Sequence, residues 1–279
     1  MTRHNVGYVI GVGGLRLAYR TWEAASARAA LVVVHGLGEH AGRYAEFGER
    51  MAAFGISTYA LDLRGHGMSE GRRGHAPSFD VFLQDVDRFR REVEGMADLN
   101  VPLFLLGHSM GGLIALRYQE EYNTRFEGAI ICSPWLATAL PVPRWKATVA
   151  SGIGRLLPAL PMRTRLDAAL LSRDTDIVES YRDDPLVHDF VTPRLFAELS
   201  IAMGLALQRS DRLQEPLLIL VAGADRIVAA DRTSRFARSI AGTDVTVRTY
   251  AGHYHELLNE LDRAVIHRQI RDWIAARVA

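Results

Sequence analysis

Apolar and polar residues alternate along this chain in two rhythms. Short runs of four to six apolar residues, β-branched or Leu-rich and ending at Gly or turn residues, predict strands at 6–10, 15–22, 31–34, 56–61, 103–106 and 129–132. The first two read as a hairpin through Gly13 and Gly14. Between them, apolar positions recur at spacings of three and four. Phe47, Met51 and Phe54 mark a helix over 44–54, and Phe79, Phe82, Val86, Phe89 and Val93 mark one over 79–93, with another over 111–122. Strand and helix in turn predict a mostly parallel sheet covered on both faces.

The rhythm breaks at Pro134. Seven of the ten prolines fall from Pro134 to Pro193, strand-like runs vanish, and the Leu/Ala-rich stretches 156–171 and 195–207 read as helices. After Pro216 the alternation resumes, with strands at 217–221 and 245–250 and a closing helix at 264–278. One sheet domain, 1–133 and 214–279, is therefore expected to carry an inserted helical cap, 134–213.

Composition narrows the classes. The chain has 279 residues, 48% of them hydrophobic, and 33 Lys+Arg nearly balance 32 Asp+Glu. There is no basic field for nucleic acid and no acidic tail. No stretch nears the roughly 20 apolar residues that cross a bilayer. The lone Cys132 closes no internal disulfide, so a cytoplasmic location is the default, with transient contact to a lipid surface through the cap. Oligomeric state has no signal here.

The strongest chemical signal is GHSMGG from Gly107, set between a strand and a helix. A serine on so sharp a turn needs neighbours two positions away that lack side chains, and its hydroxyl then stands clear of the sheet, beside helix-terminal N–H groups. A chance Gly/Ser loop is the bland alternative, and the flanking strand and helix weigh against it. A serine hydroxyl needs a base, itself oriented by an acid. Asp225 follows the strand at 217–221, and His253 and His255 both follow the strand at 245–250. The corresponding position after Cys132 holds no carboxylate, which favours Asp225. A His-x-His pair can also chelate a metal, but no third ligand stands at suitable spacing. Local chemistry leaves both histidines open. An oxyanion would rest on the backbone N–H groups of Leu37, in the 35–38 loop, and Met110. His35, Asp62 and Arg64 read as loop-anchoring groups.

Together, HGLGEHAGRY from His35, LDLRGHGMSEG from Leu61, GHSMGG from Gly107, YRDDPLV from Tyr181, GADRIV from Gly223 and YAGHYHELLNE from Tyr250 resemble the monoacylglycerol lipase/lysophospholipase branch of the α/β-hydrolases, in that branch's order. The resemblance implies an α/β-hydrolase fold and a serine esterase with Ser109, Asp225 and His255 as its triad, leaving His253 a neighbour. It implies no cofactor. It further implies that the Glu39, His40 and Arg43 cluster, with Tyr181, meets the polar end of a lipid-ester substrate, although a loop-fixing ion pair would account equally for Glu39 and Arg43. Some relatives carry a histidine where this chain has Leu258, so a reduced glycerol site is expected. Lysophospholipids are the alternative substrate, and a ligand-binding relative without catalysis is the non-enzymatic one.

Overall fold

The computed structural model describes residues 3–96, 101–122, 126–139 and 157–278. The sheet strands are β1 (Arg3–Ile10), β2 (Arg16–Glu23), β3 (Ala29–Val34), β4 (Ile56–Leu61), β5 (Leu103–His108), β6 (Gly128–Cys132), β9 (Leu217–Ala222) and β10 (Val245–Tyr250). They run in the order β1-β2-β4-β3-β5-β6-β9-β10. From β4 to β10 all neighbours are parallel, while β1 and β2 form the antiparallel opening hairpin. Gly13 and Gly14 turn that hairpin at φ of 75° and 80°, a region that favours glycine.

The inner strands read as unbroken apolar runs because both faces are covered. On β3, Ala30, Val32 and Val34 face one core, and Ala29, Leu31 and Val33 the other. The first core is closed by α2 (Asp80–Met96) through Phe82 and Phe89, by α3 (Met110–Glu121) through Leu113 and Ile114, and by α6 (Ala230–Ser239) through Phe236. The second is closed by α1 (Ala45–Ala53) through Phe47 and Met51, and by α7 (Arg263–Ala275) through Ile266, Ile270 and Trp273. This is the fold class expected from the sequence.

No described residue between β6 and β9 joins the large sheet. These residues form the two-residue strands β7 (Met162–Arg163) and β8 (Phe190–Val191), α4 (Thr175–Asp183) and α5 (Pro193–Gln208). The expected helix at 195–207 is α5, whose Leu195, Leu199, Ala202 and Ala206 join the first core. The expected helix at 156–171 is corrected: its described part, 157–171, is a turn, the strand β7 and a single 3-10 turn, Ala168–Leu170. Pro158 and Pro161 lack the N–H a helix needs, and Arg165 takes a left-handed φ of 54°. Residues 140–156 of the expected cap lie outside the described residues. Among the described residues no helix is long and apolar enough to cross a membrane.

Candidate active site

Parallel strands bring their C-terminal ends to one rim, and the loops there carry the chemistry. Ser109 joins β5 to α3 at φ 53°, ψ −115°, a strained conformation for a residue with a side chain. Close approach explains the flanking glycines: a Cβ on Gly107 would lie 2.2 Å from the Gly111 carbonyl oxygen, and one on Gly111 2.0 Å from that of Val34. The turn is clamped by Ser109 N–H donating to the Cys132 carbonyl at 3.0 Å and Trp135 N–H donating to Ser109 O at 3.0 Å.

Asp225 follows β9. Its Oδ1 accepts the amides of Ile227 (2.8 Å) and Val228 (3.0 Å), and its Oδ2 lies 2.7 Å from His255 Nδ1. Burial alone would raise the Asp225 pKa, but His255 and the two amides outweigh it and hold the carboxyl below its ordinary value. Burial would likewise lower the His255 pKa, yet the Asp225 carboxylate, with Glu256 and Glu39 behind it, lifts it above 6.5. His253 points elsewhere, to Asp262 at the surface, 2.7 Å away. The two histidines that local sequence left open thus face different partners, and His255 alone of the pair lines a cavity with Ser109.

That cavity holds about 310 Å³. Apolar side chains of Trp135, Leu166, Leu171, Val191, Phe196 and Ile227 form much of its wall, and Leu37, Glu39, Tyr181 and Glu256 reach it as well. The 35–38 loop passes directly over the serine, since a Cβ on Gly36 would lie 3.2 Å from that of Ser109. Met110 opens α3, where no helical carbonyl can pair its N–H.

Glu39 and Arg43 are both engaged in the loop that carries them. Glu39 Oε1 accepts Gly36 N–H at 2.6 Å and the Tyr44 hydroxyl at 3.0 Å, and Oε2 accepts Arg43 at 3.2 Å. Arg43 does not line the cavity; its guanidinium forks onto Glu256 and lies 4.7 Å from the centre of the Tyr181 ring. Leu258 is packed in the second core, away from the cavity wall, so its apolar character does not alter that wall. His35 is a neutral clip: Nδ1 donates to Gly36 O (2.7 Å), Nε2 accepts Leu63 N–H (2.9 Å), and burial pushes its pKa down to about 4. Asp62 accepts the amides of Ala41 and Met68, and Arg64 forks onto Asp85, so both anchor loops.

Among the cavity residues that escaped sequence reasoning, two lie against His255. The His108 ring lies tilted against that of His255, centroids 4.7 Å apart, and is kept neutral by burial and by His255, its pKa pushed down to about 4. Glu256 is buried beside His255. Its only sequence signal is its place in HELLNE; its partner Arg43 lies 213 positions away.

A serine on a strained strand-to-helix turn, above a mostly parallel sheet, sharing a cavity with a buried histidine that an aspartate backs, defines a serine hydrolase of the α/β-hydrolase superfamily. The chain belongs to the Hydrolase_4 family (Serine aminopeptidase, S33), whose model matches residues 25–262. It is 34% identical to a monoacylglycerol lipase of Mycolicibacterium smegmatis over 96% of both chains. It is 30% identical to the phospholipase YtpA of Bacillus subtilis, over 90% of this chain and 96% of that one. Among solved structures, the monoacylglycerol lipase of Paleococcus ferrophilus superposes with a TM-score of 0.82 at 33% identity, covering 94% of this chain and 99% of the other.

Proposed function

We propose that the protein hydrolyses monoacylglycerols through an acyl-enzyme on Ser109. The observation that carries this reading is that His255, backed by Asp225, and the strained Ser109 open onto one largely apolar cavity. His255 Nε2 takes the hydroxyl proton as Ser109 Oγ attacks the ester carbonyl. Asp225 fixes the imidazole with its proton on Nδ1 and stabilises the charged form. The tetrahedral oxyanion rests on the amides of Leu37 and Met110. His255 returns the proton to the departing glycerol oxygen, and a water activated by the same imidazole clears the acyl group. The acyl chain takes the apolar wall. Tyr181 and Glu39 meet the polyol, with Arg43 holding both from behind.

In this reading residues 1–133 and 214–279 are the catalytic core and 134–213 a cap over the site. The cap exposes Leu157, Leu160 and Ile201, which suit transient contact of a cytoplasmic enzyme with a bilayer or micelle. The resemblance to a phospholipase keeps lysophospholipids as a second reading, on the same triad. Turnover of mono- and triacylglycerols and lysophospholipids by wild type and Ser109→Ala, with fluorophosphonate labelling, tests both. Labelling lost in Ser109→Ala and fastest turnover on a monoacylglycerol is the expected result. A lysophospholipid preference transfers the proposal to the second reading.

A further inference from the structure

The most heavily charged buried cluster beside His255 lies outside the Ser–His–Asp constellation. Glu256 follows His255 in the chain, is buried, and has both carboxylate oxygens occupied. Oε1 and Oε2 accept the two arms of Arg43, the latter at 2.8 Å, and Oε2 also accepts Asn259 Nδ2 at 2.9 Å. Arg43 reaches on to Glu39, and Glu39 holds the Gly36 amide of the loop that crosses Ser109. In the other direction, Glu256 N–H donates to Leu171 O at 2.8 Å, and the Arg43 guanidinium covers the Tyr181 ring of α4. One unbroken set of contacts therefore joins the loop over the serine, the loop of the base and the segment that follows β7.

We infer that the Arg43–Glu256 ion pair is the positioning unit of this active site: it fixes the His255 loop against the 35–38 loop. This rests on His255 being the general base of Ser109. A buried ion pair contributes little net stability, because desolvation offsets most of the attraction. A forked guanidinium–carboxylate contact does, however, fix direction and plane. Its charges also act on the imidazole. The groups acting on His255 are Asp225 beyond β9, Glu256 and Glu39, with neutral His108 from β5 against its ring; behind them Arg43 is bonded to Glu256 and Glu39 and covers neutral Tyr181 of α4. Arg43, forked onto Glu256, opposes part of the Glu256 charge at the imidazole. Removing either leaves the other's charge acting on the base, with opposite signs.

The test is the pH profile of kcat/KM for Glu256→Gln, Arg43→Met, the double variant and Glu256→Asp, with active sites counted by fluorophosphonate titration. Glu256→Gln should move the acid limb to lower pH by about half a unit or more, and Arg43→Met should move it upward. The double variant should return it toward the wild-type position. Glu256→Asp keeps the charge but shortens the arm, so it should leave the limb in place while kcat falls about tenfold, a fraction of what general acid–base catalysis supplies. It also serves if the neutral variants do not fold. Limbs within about 0.2 units of wild type in both single variants, or full kcat in Glu256→Asp, would overturn the inference. The parent reading fails separately: if Ser109→Ala keeps its turnover, the nucleophile is wrong. If Ser109→Ala is dead and the limbs stay put, only the positioning role falls.

Discussion

Asp225 Oδ2 stands 2.7 Å from His255 Nδ1, and the other oxygen of Asp225 is pinned by the amides of Ile227 and Val228. A carboxylate held by two backbone N–H groups cannot turn away, so it dictates that Nδ1 carries the proton and Nε2 is free to accept one. Asp225→Asn would present an amide N–H or a weaker acceptor to Nδ1. We expect the fold to survive and kcat to drop roughly a thousandfold or more. Near-normal turnover would point to a different acid.

The raised pKa of His255 has a sign that can be read in solution. As the proposed base, His255 works only when neutral, so kcat/KM should climb with pH through a value above 6.5. A midpoint at or below 6.5 would contradict the Asp225–His255 geometry. The same shift stabilises the fold below pH 6.5, and that contribution is lost as pH rises through the folded pKa. The depressed pKa of Asp225 acts oppositely: its contribution is present above pH 3.8 and is lost as pH falls through the folded value.

His255→Ala should cost about a thousandfold or more in kcat, whereas His253→Ala should cost little, since His253 meets Asp262 at the surface. The reverse ranking, measured on any p-nitrophenyl ester, would exchange their roles.

Strain at Ser109 offers a test in which stability and activity part company. At φ 53° and ψ −115° a side chain costs on the order of 1–3 kcal/mol, and glycine relieves it. Ser109→Gly should be inactive and melt a few degrees higher than wild type. Gly111→Ala should do the reverse to the fold, because its Cβ would sit 2.0 Å from the Val34 carbonyl oxygen and force β3 and α3 apart. A Gly111→Ala protein with unchanged melting temperature would refute that account of the elbow.

The elbow was legible in sequence because its demands are local: a strand, two side-chain-free positions and a helix lie within a dozen residues of Ser109. Leucine-rich 157–171 misled because leucine content cannot overrule Pro158 and Pro161. Helices α4 and α6 passed unnoticed; α6, Ala230–Ser239, has four charged residues and buries little beyond Thr233, Phe236 and Ala237. The choice between His253 and His255 came from family resemblance, since it depends on which loop neighbour each meets across the fold. Glu256 was missed for the same reason. Its meaning comes from Arg43, which only folding brings near.

The cavity sets a substrate limit. A cavity of about 310 Å³ takes in only a limited length of acyl chain. Each methylene that leaves water for the wall of Trp135, Leu166, Phe196 and Ile227 contributes about 0.8 kcal/mol. kcat/KM for monoacylglycerols should therefore rise with each added carbon up to a medium-length chain, then flatten. A triacylglycerol brings two further chains to the end of the site occupied by Tyr181, Glu39 and Glu256, where burying hydrocarbon against carboxylates is unfavourable, so it should be cleaved poorly. Phe196→Ala should move the plateau to longer chains by enlarging the wall without touching Ser109 or His255. Comparing C8, C12 and C18 monoacylglycerols with tridodecanoylglycerol on both proteins checks this. A rise that continues undiminished to C18 in wild type, or faster turnover of the triacylglycerol, would show that the acyl chain does not bind in this cavity.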